Sequence, residues 1–280
     1  MFSDKFSTLI ATYILFSSAA AFCAQSAVTN RITQFAQRSI RTCAFEHGGI
    51  IRGLTSEKKI ALIFTGGDYA EGGNLIRRVL SRKKIKANFF FTGNFYRNSS
   101  NRSLISKLVA DGHYLGPHSD KHLLYCSWEN RDRLLVNKQE FVSDIRNNYG
   151  EMEKFGITKR DAAYFVPPYE WYNEKIVGWA KEIGLILINF SPGTGSNADY
   201  TTPSMPEYKP SEKIYKSIIE YEKKDPDGLN GFLLLLHIGT HPDREDKFYH
   251  RLDELIDYLI SLGYGFSRVD DLLTDCVSMG

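Results

Sequence analysis

The sequence predicts an α/β fold built on a parallel sheet, open or closed into a barrel, and three observations carry that prediction. Short apolar runs alternate with amphipathic stretches from Lys59 to Arg268, the pattern of repeated strand-helix units. The chemically distinctive residues Asp68, His118, His122, Tyr169, Asp199 and His237 each follow one of those apolar runs, at the strand ends where such folds assemble their sites. The composition, 280 residues with 42% hydrophobic and 24% charged, is enough for one large core. Lys+Arg and Asp+Glu nearly cancel, to a net +2 with no long basic run, which argues against a nucleic-acid partner.

In chain order, Lys5 precedes an apolar run from Leu9 to Phe22 and small residues from Ala24 to Ala27. This reads as a secretory signal peptide over residues 1–26. Its apolar run of about 14 residues is short of the roughly 20 that span a bilayer, so the expectation is an exported protein without a stable membrane span. Cys23 stands where a lipid anchor could attach, but Phe22 occupies the preceding position, where such sites want a small residue. Residues 27–57 read as a helix from Val28 to about Cys43, with apolar residues at mostly helical spacing, and a Gly-rich connector from Glu46 to Ser56. The main domain is expected over 58–280.

Within it, Lys59 to Phe64 is a short buried strand and Asn74 to Arg82 an amphipathic helix; Ala87 to Phe91 is the next strand and Ser103 to Asp111 the next helix. Tyr114 to Pro117 is a brief strand, and the helix from Lys138 to Lys154 stops at Phe155-Gly156. The alternation continues with strand Tyr164 to Val166, helix Asn173 to Ile183, strand Leu185 to Asn189, helix Ser211 to Lys223, strand Phe232 to Leu236, helix Leu252 to Leu262 and strand Gly265 to Arg268. The stretch Ser191 to Pro210, rich in Pro, Gly, Ser and Thr, is long enough to suggest a functional loop. Beyond Cys23, Cys43, Cys126 and Cys276 form no Cys-x-x-Cys and no close pair. One disulfide and one free thiol are allowed, with the pairing open.

His118 and His122 lie four apart. A helical turn would stack their rings about 5 to 6 Å apart, able to share a metal ion whose third ligand comes from elsewhere. Asp120 between them reads as a solvated carboxylate or a turn former.

Phe64-Thr65-Gly66-Gly67-Asp68, Ala87 to Phe91, Gly112 to His122, Phe165-Val166-Pro167-Pro168-Tyr169 and Leu235-Leu236-His237 occur in the order of the NodB-like polysaccharide deacetylases, carbohydrate esterase family four. The resemblance runs over roughly residues 58–274, and its most specific part is His118-Ser119-x-x-His122 after Gly-His-x-x-Gly. It implies a distorted, incomplete (β/α) barrel with Asp68, His118 and His122 as metal ligands. Two imidazoles and a carboxylate suit a borderline-soft divalent ion with open positions, Zn by default and other first-row transition metals besides. Tyr169 matches the residue whose backbone N–H serves the oxyanion, and His237 the general acid that protonates the leaving amine.

The departures are specific. Where the family has Thr-Phe-Asp-Asp-Gly, the first Asp, its usual general base, is Gly67 here; the Arg that ordinarily orients that base is Val166. Joint loss is physically coherent, because removing one partner alone strands a charge at a cost of about 3–5 kcal/mol. Three carboxylates could replace the base: Glu71, ranked first because it shares the loop of Asp68, then Glu170 and Asp199. Trp171 and Asp199 are expected to contact substrate, with Tyr172, Asn173, Trp128, Phe248 and Tyr249 as further candidates for the wall. The resulting expectation is a metal-dependent hydrolase that removes acetyl groups, N-acetyl first, from a glycan. The alternative is a weak or inactive relative that only binds glycan.

Overall fold

The computed structural model describes residues 43–277. The expected signal peptide and nearly all of the Val28 to Cys43 helix lie outside the described residues.

The expected connector is instead a hairpin. Strands β1 (Ala44–Glu46) and β2 (Gly49–Arg52) pair antiparallel, joined by His47 and Gly48 with φ of 45° and 82°. A two-residue turn with both φ positive matches the twist of its strands, and Gly48 supplies half of it without strain. The three-residue first strand was too short to stand out as a periodic segment.

Next comes β3 (Lys59–Gly66), buried at every residue after Lys59. In the same sheet, β4 (Asn88–Phe91), β5 (Tyr114–Pro117) and β8 (Phe232–His237) are apolar along almost their whole length, as strands covered on both faces are. Between them lie β6 (Tyr164–Phe165) and β7 (Ile186–Leu187), which pair with each other, while β9 (Gly265–Phe266) pairs with the start of β3. The main sheet runs β1-β2-β8-β3-β4-β5, parallel from β8 to β5. The β6-β7 pair carries the curl round: Val166 N donates to Pro117 O at the end of β5, and Asn189 N donates to Ile50 O in β2. The result is a distorted (β/α) barrel in which the antiparallel strand β2 occupies a stave position.

The helices cover the outside. They are α1 (Gly73–Arg82), α2 (Gly93–Arg97), α3 (Arg102–Ala110), α4 (Lys138–Met152), α5 (Glu174–Glu182), α6 (Ser211–Lys224) and α7 (Leu252–Ser261), followed by the short α8 (Val269–Leu272) and α9 (Thr274–Val277). Helix α4 starts at a capping box between Asn137 and Glu140, worth about 1 kcal/mol. Past a short 3₁₀ turn, Gly156 ends this segment at φ 78°. Among the described residues no helix is long and apolar enough to cross a membrane.

Cys43 and Cys276 form a disulfide across 233 residues, with Cα atoms 5.6 Å apart, and Cys126 is free and buried. The bond ties the start of β1 to α9. Cys43→Ser is therefore expected to lower unfolding free energy by about 2–5 kcal/mol, measured by denaturant titration; a midpoint unchanged from wild type would show that the bond contributes nothing.

Candidate active site

Strands β3, β4, β5 and β8 end on one side of the barrel, where their loops enclose a cavity of about 720 Å³. The two histidines enter it from the loop after β5, which is not helical. Ser119 and His122 have φ of 72° and 56°, and the Ser119 hydroxyl accepts from His122 N at 2.9 Å. The rings nevertheless meet, with centroids 5.0 Å apart. The expected proximity is present by a different route, a tight turn instead of a helical face.

That turn is braced on two sides. Gly93 N donates to Ser119 O and Asn94 N to Asp120 O. A Cβ at Gly93 would lie 1.9 Å from the Asp120 carboxylate, so only glycine permits this approach. Asp120 is buried and paired with Arg97 at 2.6 Å; of the two readings, solvated carboxylate or turn former, its place in this turn agrees with the second and its burial overturns the first. From behind, Asp144 and Asn148 of α4 reach in. Asn148 accepts from His118 N at 3.0 Å; Asp144 accepts from Lys121 N at 3.1 Å and from the Tyr125 hydroxyl at 2.8 Å. Sequence reasoning missed both. Their signal was two polar side chains, i and i+4, on the helix face that also carries Phe141 and Ile145.

His118 Nδ1 lies 2.8 Å from Val166 O. A carbonyl only accepts, so Nδ1 carries the hydrogen and Nε2 presents its lone pair to the cavity. Burial, with the charge of His122 second, holds His118 well below the usual histidine range. Burial and the charge of His237 bring His122 down to about 4, against an opposing pull from Asp68. Both rings are neutral at neutral pH, as metal ligation requires.

Asp68 lines the same cavity. The donor chemistry suits a divalent ion. Among the described residues, however, no three His, Cys, Asp or Glu side chains are gathered closely enough to hold one. The histidine pair is formed, and Asp68 lines the same cavity without joining it in such a group.

Opposite stands His237, the last residue of β8. Asp199 holds it twice, with Oδ1 2.6 Å from Nδ1 and Oδ2 accepting from His237 N at 2.9 Å. Asp199 is buried; it positions His237 and does not face substrate as expected. Burial pulls the His237 pKa down, but the Asp199 charge and hydrogen bond, with the Glu170 charge, leave it above the ordinary value. The loop carrying Asp199 is anchored by the fully buried Arg244, which donates to Thr201 O at 2.6 Å and Lys209 O at 3.0 Å. Arg244 was also not singled out from sequence.

Tyr169 and Glu170 sit on a further tight reversal, where Glu170 N and Trp171 N donate to the carbonyls of Pro167 and Pro168. Both have positive φ, 59° and 52°, at about 1–3 kcal/mol of strain each. Tyr169 packs on His122, with ring centroids 4.3 Å apart. Half-buried Glu170 lines the cavity. Burial pushes its carboxyl up to about 7, with His237 lowering it and Asp199 raising it.

Trp128, Tyr169 and Tyr200 form an exposed rim, at 55%, 45% and 42% exposure. These rings keep surface open to the cavity mouth although Tyr169 also packs on His122 and Tyr200 on His237. Trp171 does not: it packs 5.2 Å from Trp128, donates Nε1 to Ser127 O, and carries the Arg131 guanidinium 3.4 Å above its ring. It supports the wall instead of contacting substrate. Tyr172 is buried with its hydroxyl on Glu46 O, Asn173 caps α5, and Phe248 and Tyr249 are buried.

Glu71, ranked first as replacement base, turns away from the cavity. Its carboxylate accepts from Thr240 N at 2.8 Å and pairs with Lys247 at 3.2 Å. Proximity in sequence to Asp68 did not carry over, because the Glu71 carboxylate is taken up by Thr240 and Lys247. At Gly67 a Cβ would meet nothing nearer than Thr92 at 3.8 Å, so the missing carboxylate is not excluded by space. Val166 is fully buried and serves His118 through its carbonyl.

Residues 52–188 match the family model for polysaccharide deacetylase. The peptidoglycan-N-acetylmuramic acid deacetylase PdaA of Bacillus subtilis is 26% identical over 223 residues, 79% of this chain and 73% of that protein. A peptidoglycan-N-acetylglucosamine deacetylase of Bacillus cereus is 26% identical over 218 residues, 78% of this chain and 89% of that protein. Among solved structures, a carbohydrate esterase family four pseudoenzyme from Bacillus anthracis superimposes with a TM-score of 0.63 at 18% identity, covering 82% of this chain and 70% of that one.

Proposed function

The chain belongs to the polysaccharide deacetylases of carbohydrate esterase family four, and from that membership we propose that it is an exported, metal-dependent hydrolase removing N-acetyl groups from an amino-sugar glycan of the peptidoglycan type. The observation that carries this reading is the meeting of two units in one cavity: a neutral histidine pair, His118 and His122, and an Asp199-held His237. A pure binding surface has no use for an acid poised opposite a ligand pair.

The ion would be held by His118, His122 and Asp68, and when bound it supplies Lewis acidity to the acetyl carbonyl and acidifies water. The remaining roles belong to the chain itself. Trp128, Tyr169 and Tyr200 receive the sugar faces. The Tyr169 backbone N–H is the oxyanion donor, a contribution of about 3 kcal/mol to the transition state. His237 gives its proton to the departing amine nitrogen, and Asp199 fixes the ring so that the other nitrogen points into the cavity.

A second reading is favoured by Gly67 and Val166 and by the likeness to a pseudoenzyme: the cavity binds glycan without turnover. Acetate release decides between them. Metal-loaded protein is expected to release acetate from N-acetylated peptidoglycan fragments or chito-oligosaccharides, with acetylated xylan as the ester comparison. Sugar binding with no acetate from any of the three would leave the binding reading standing and end the hydrolase one.

A further inference from the structure

Resting on the deacetylase reading, we infer that Glu170 is the general base of this site, replacing the carboxylate absent at Gly67. The geometry is the ground. Glu170 lines the same cavity as His118, His122 and His237, whereas Glu71 is held by Thr240 and Lys247 and Asp199 is held by His237. Of the three carboxylates that could act, Glu170 alone reaches the cavity without already serving another residue there. Its position is also costly to keep, since two consecutive residues with side chains, Tyr169 and Glu170, adopt positive φ. Strain of this kind persists where the surroundings enforce it, and it gathers at functional sites.

The charged and titratable groups around the carboxyl are His237 at the end of β8 and Asp199 and Tyr200 on the loop turn, with Arg244 acting on His237 in turn. Burial, with His237 lowering and Asp199 raising, puts the carboxyl near neutrality, where proton acceptance from water is both available and productive. Because Glu170 and His237 feel each other, their two titrations belong to the pair.

The step balances with these two groups. A water oxygen forms a bond to the acetyl carbonyl carbon while one water proton passes to the Glu170 carboxylate. The tetrahedral carbon then expels nitrogen: the C–N bond breaks and the amine takes the proton of His237. Acetic acid and the free amine leave, and transfer of the stored proton from Glu170 to His237 resets the site.

The test uses metal-loaded protein and an N-acetylated chito-oligosaccharide. Glu170→Gln, nearly isosteric, is expected to lower kcat about 10²- to 10⁴-fold with KM little changed. It is also expected to erase the rise of activity through about pH 7 while keeping the fall at higher pH. Independently of activity, carbon-13 NMR of labelled glutamate carboxyls should show one group titrating near neutrality in wild type and none in Glu170→Gln. Adding Gly67→Asp to Glu170→Gln should recover at least about tenfold of the loss, since Gly67 has room for a side chain. A Glu170→Gln enzyme within threefold of wild type, or one that keeps its rise through pH 7, overturns the assignment and leaves the deacetylase reading intact. A wild type that releases no acetate from any acetylated glycan overturns both.

Discussion

His118→Ala is expected to abolish acetate release, by about 10³-fold or more. His118 is held three ways: its Nδ1–H is spent on Val166 O, its backbone N–H donates to Asn148, and its ring lies 5.0 Å from that of His122, centroid to centroid, leaving Nε2 as the nitrogen free to ligate. Only the last is lost in chemistry. A Lewis acid contributes several kcal/mol of charge stabilisation, and each 1.36 kcal/mol is tenfold in rate, so loss of the ion proposed for this site would account for the size of the effect. The variant also leaves a cavity and an unanswered Val166 carbonyl, about 1–3 kcal/mol of stability. His122→Ala, at the more exposed ring, separates the two: it should lose activity and bound metal equally while unfolding closer to wild type. Metal content, denaturation midpoint and acetate are measured on both, and retained turnover without bound metal would remove the ion from the reaction.

The same rings set the acid sensitivity of the fold. His118, His122 and His113 are all held below the ordinary histidine value, the last two at about 4 and all three chiefly by burial. Each folded-state pKa is depressed, so the stability these groups contribute is present above the unfolded value near 6.5 and is lost as pH falls from there towards 4. Acid is therefore expected to weaken the fold over the same window in which His118 and His122 would lose the neutral form that metal ligation requires.

The barrel was legible because its strands are read by composition alone. Runs such as Lys59–Phe64 and Phe232–Leu236 are apolar along their length only when both faces are covered, and residues after them had to converge. Convergence onto one end, however, does not fix direction. Asp199 follows a strand as expected, yet it turns inward to His237; Trp171 stands two residues beyond Tyr169, yet its ring is covered by Arg131. Glu71 and Glu170 each stand close in sequence to a site residue; the positive φ at Tyr169 and Glu170 accompanies the turn that brings Glu170 to the cavity, and Thr240 and Lys247 hold Glu71. Those dihedrals are set by tertiary contacts, which no spacing rule encodes. The β1-β2 hairpin failed for a simpler reason: a two-stranded edge with a His-Gly turn presents too few residues to show a period.

Asp199→Asn is expected to lower kcat by about 10³- to 10⁴-fold while KM stays near the wild-type value. An amide can still accept from His237 N, so the loop is not released, and Arg244 continues to hold Thr201 and Lys209. What changes is the partner of Nδ1. A neutral amide neither stabilises imidazolium nor fixes the same tautomer, and loss of that function in another His-carboxylate pair costs about 10⁴. The sign in pH follows from the balance at His237, where burial lowers the pKa and Asp199 raises it by charge and hydrogen bond. With the carboxylate gone, burial wins and the value drops below the ordinary one. The acid is then unprotonated at neutral pH, and the alkaline fall of the activity profile moves to lower pH. Folding responds in the same direction: wild-type His237, with its raised pKa, adds stability that is full below about 6.5 and vanishes as pH rises through the folded value. The variant lacks that increment at low pH and should match wild type more closely at high pH. An Asp199→Asn enzyme whose alkaline limb stays where it was would show that some group other than His237 gives the leaving nitrogen its proton.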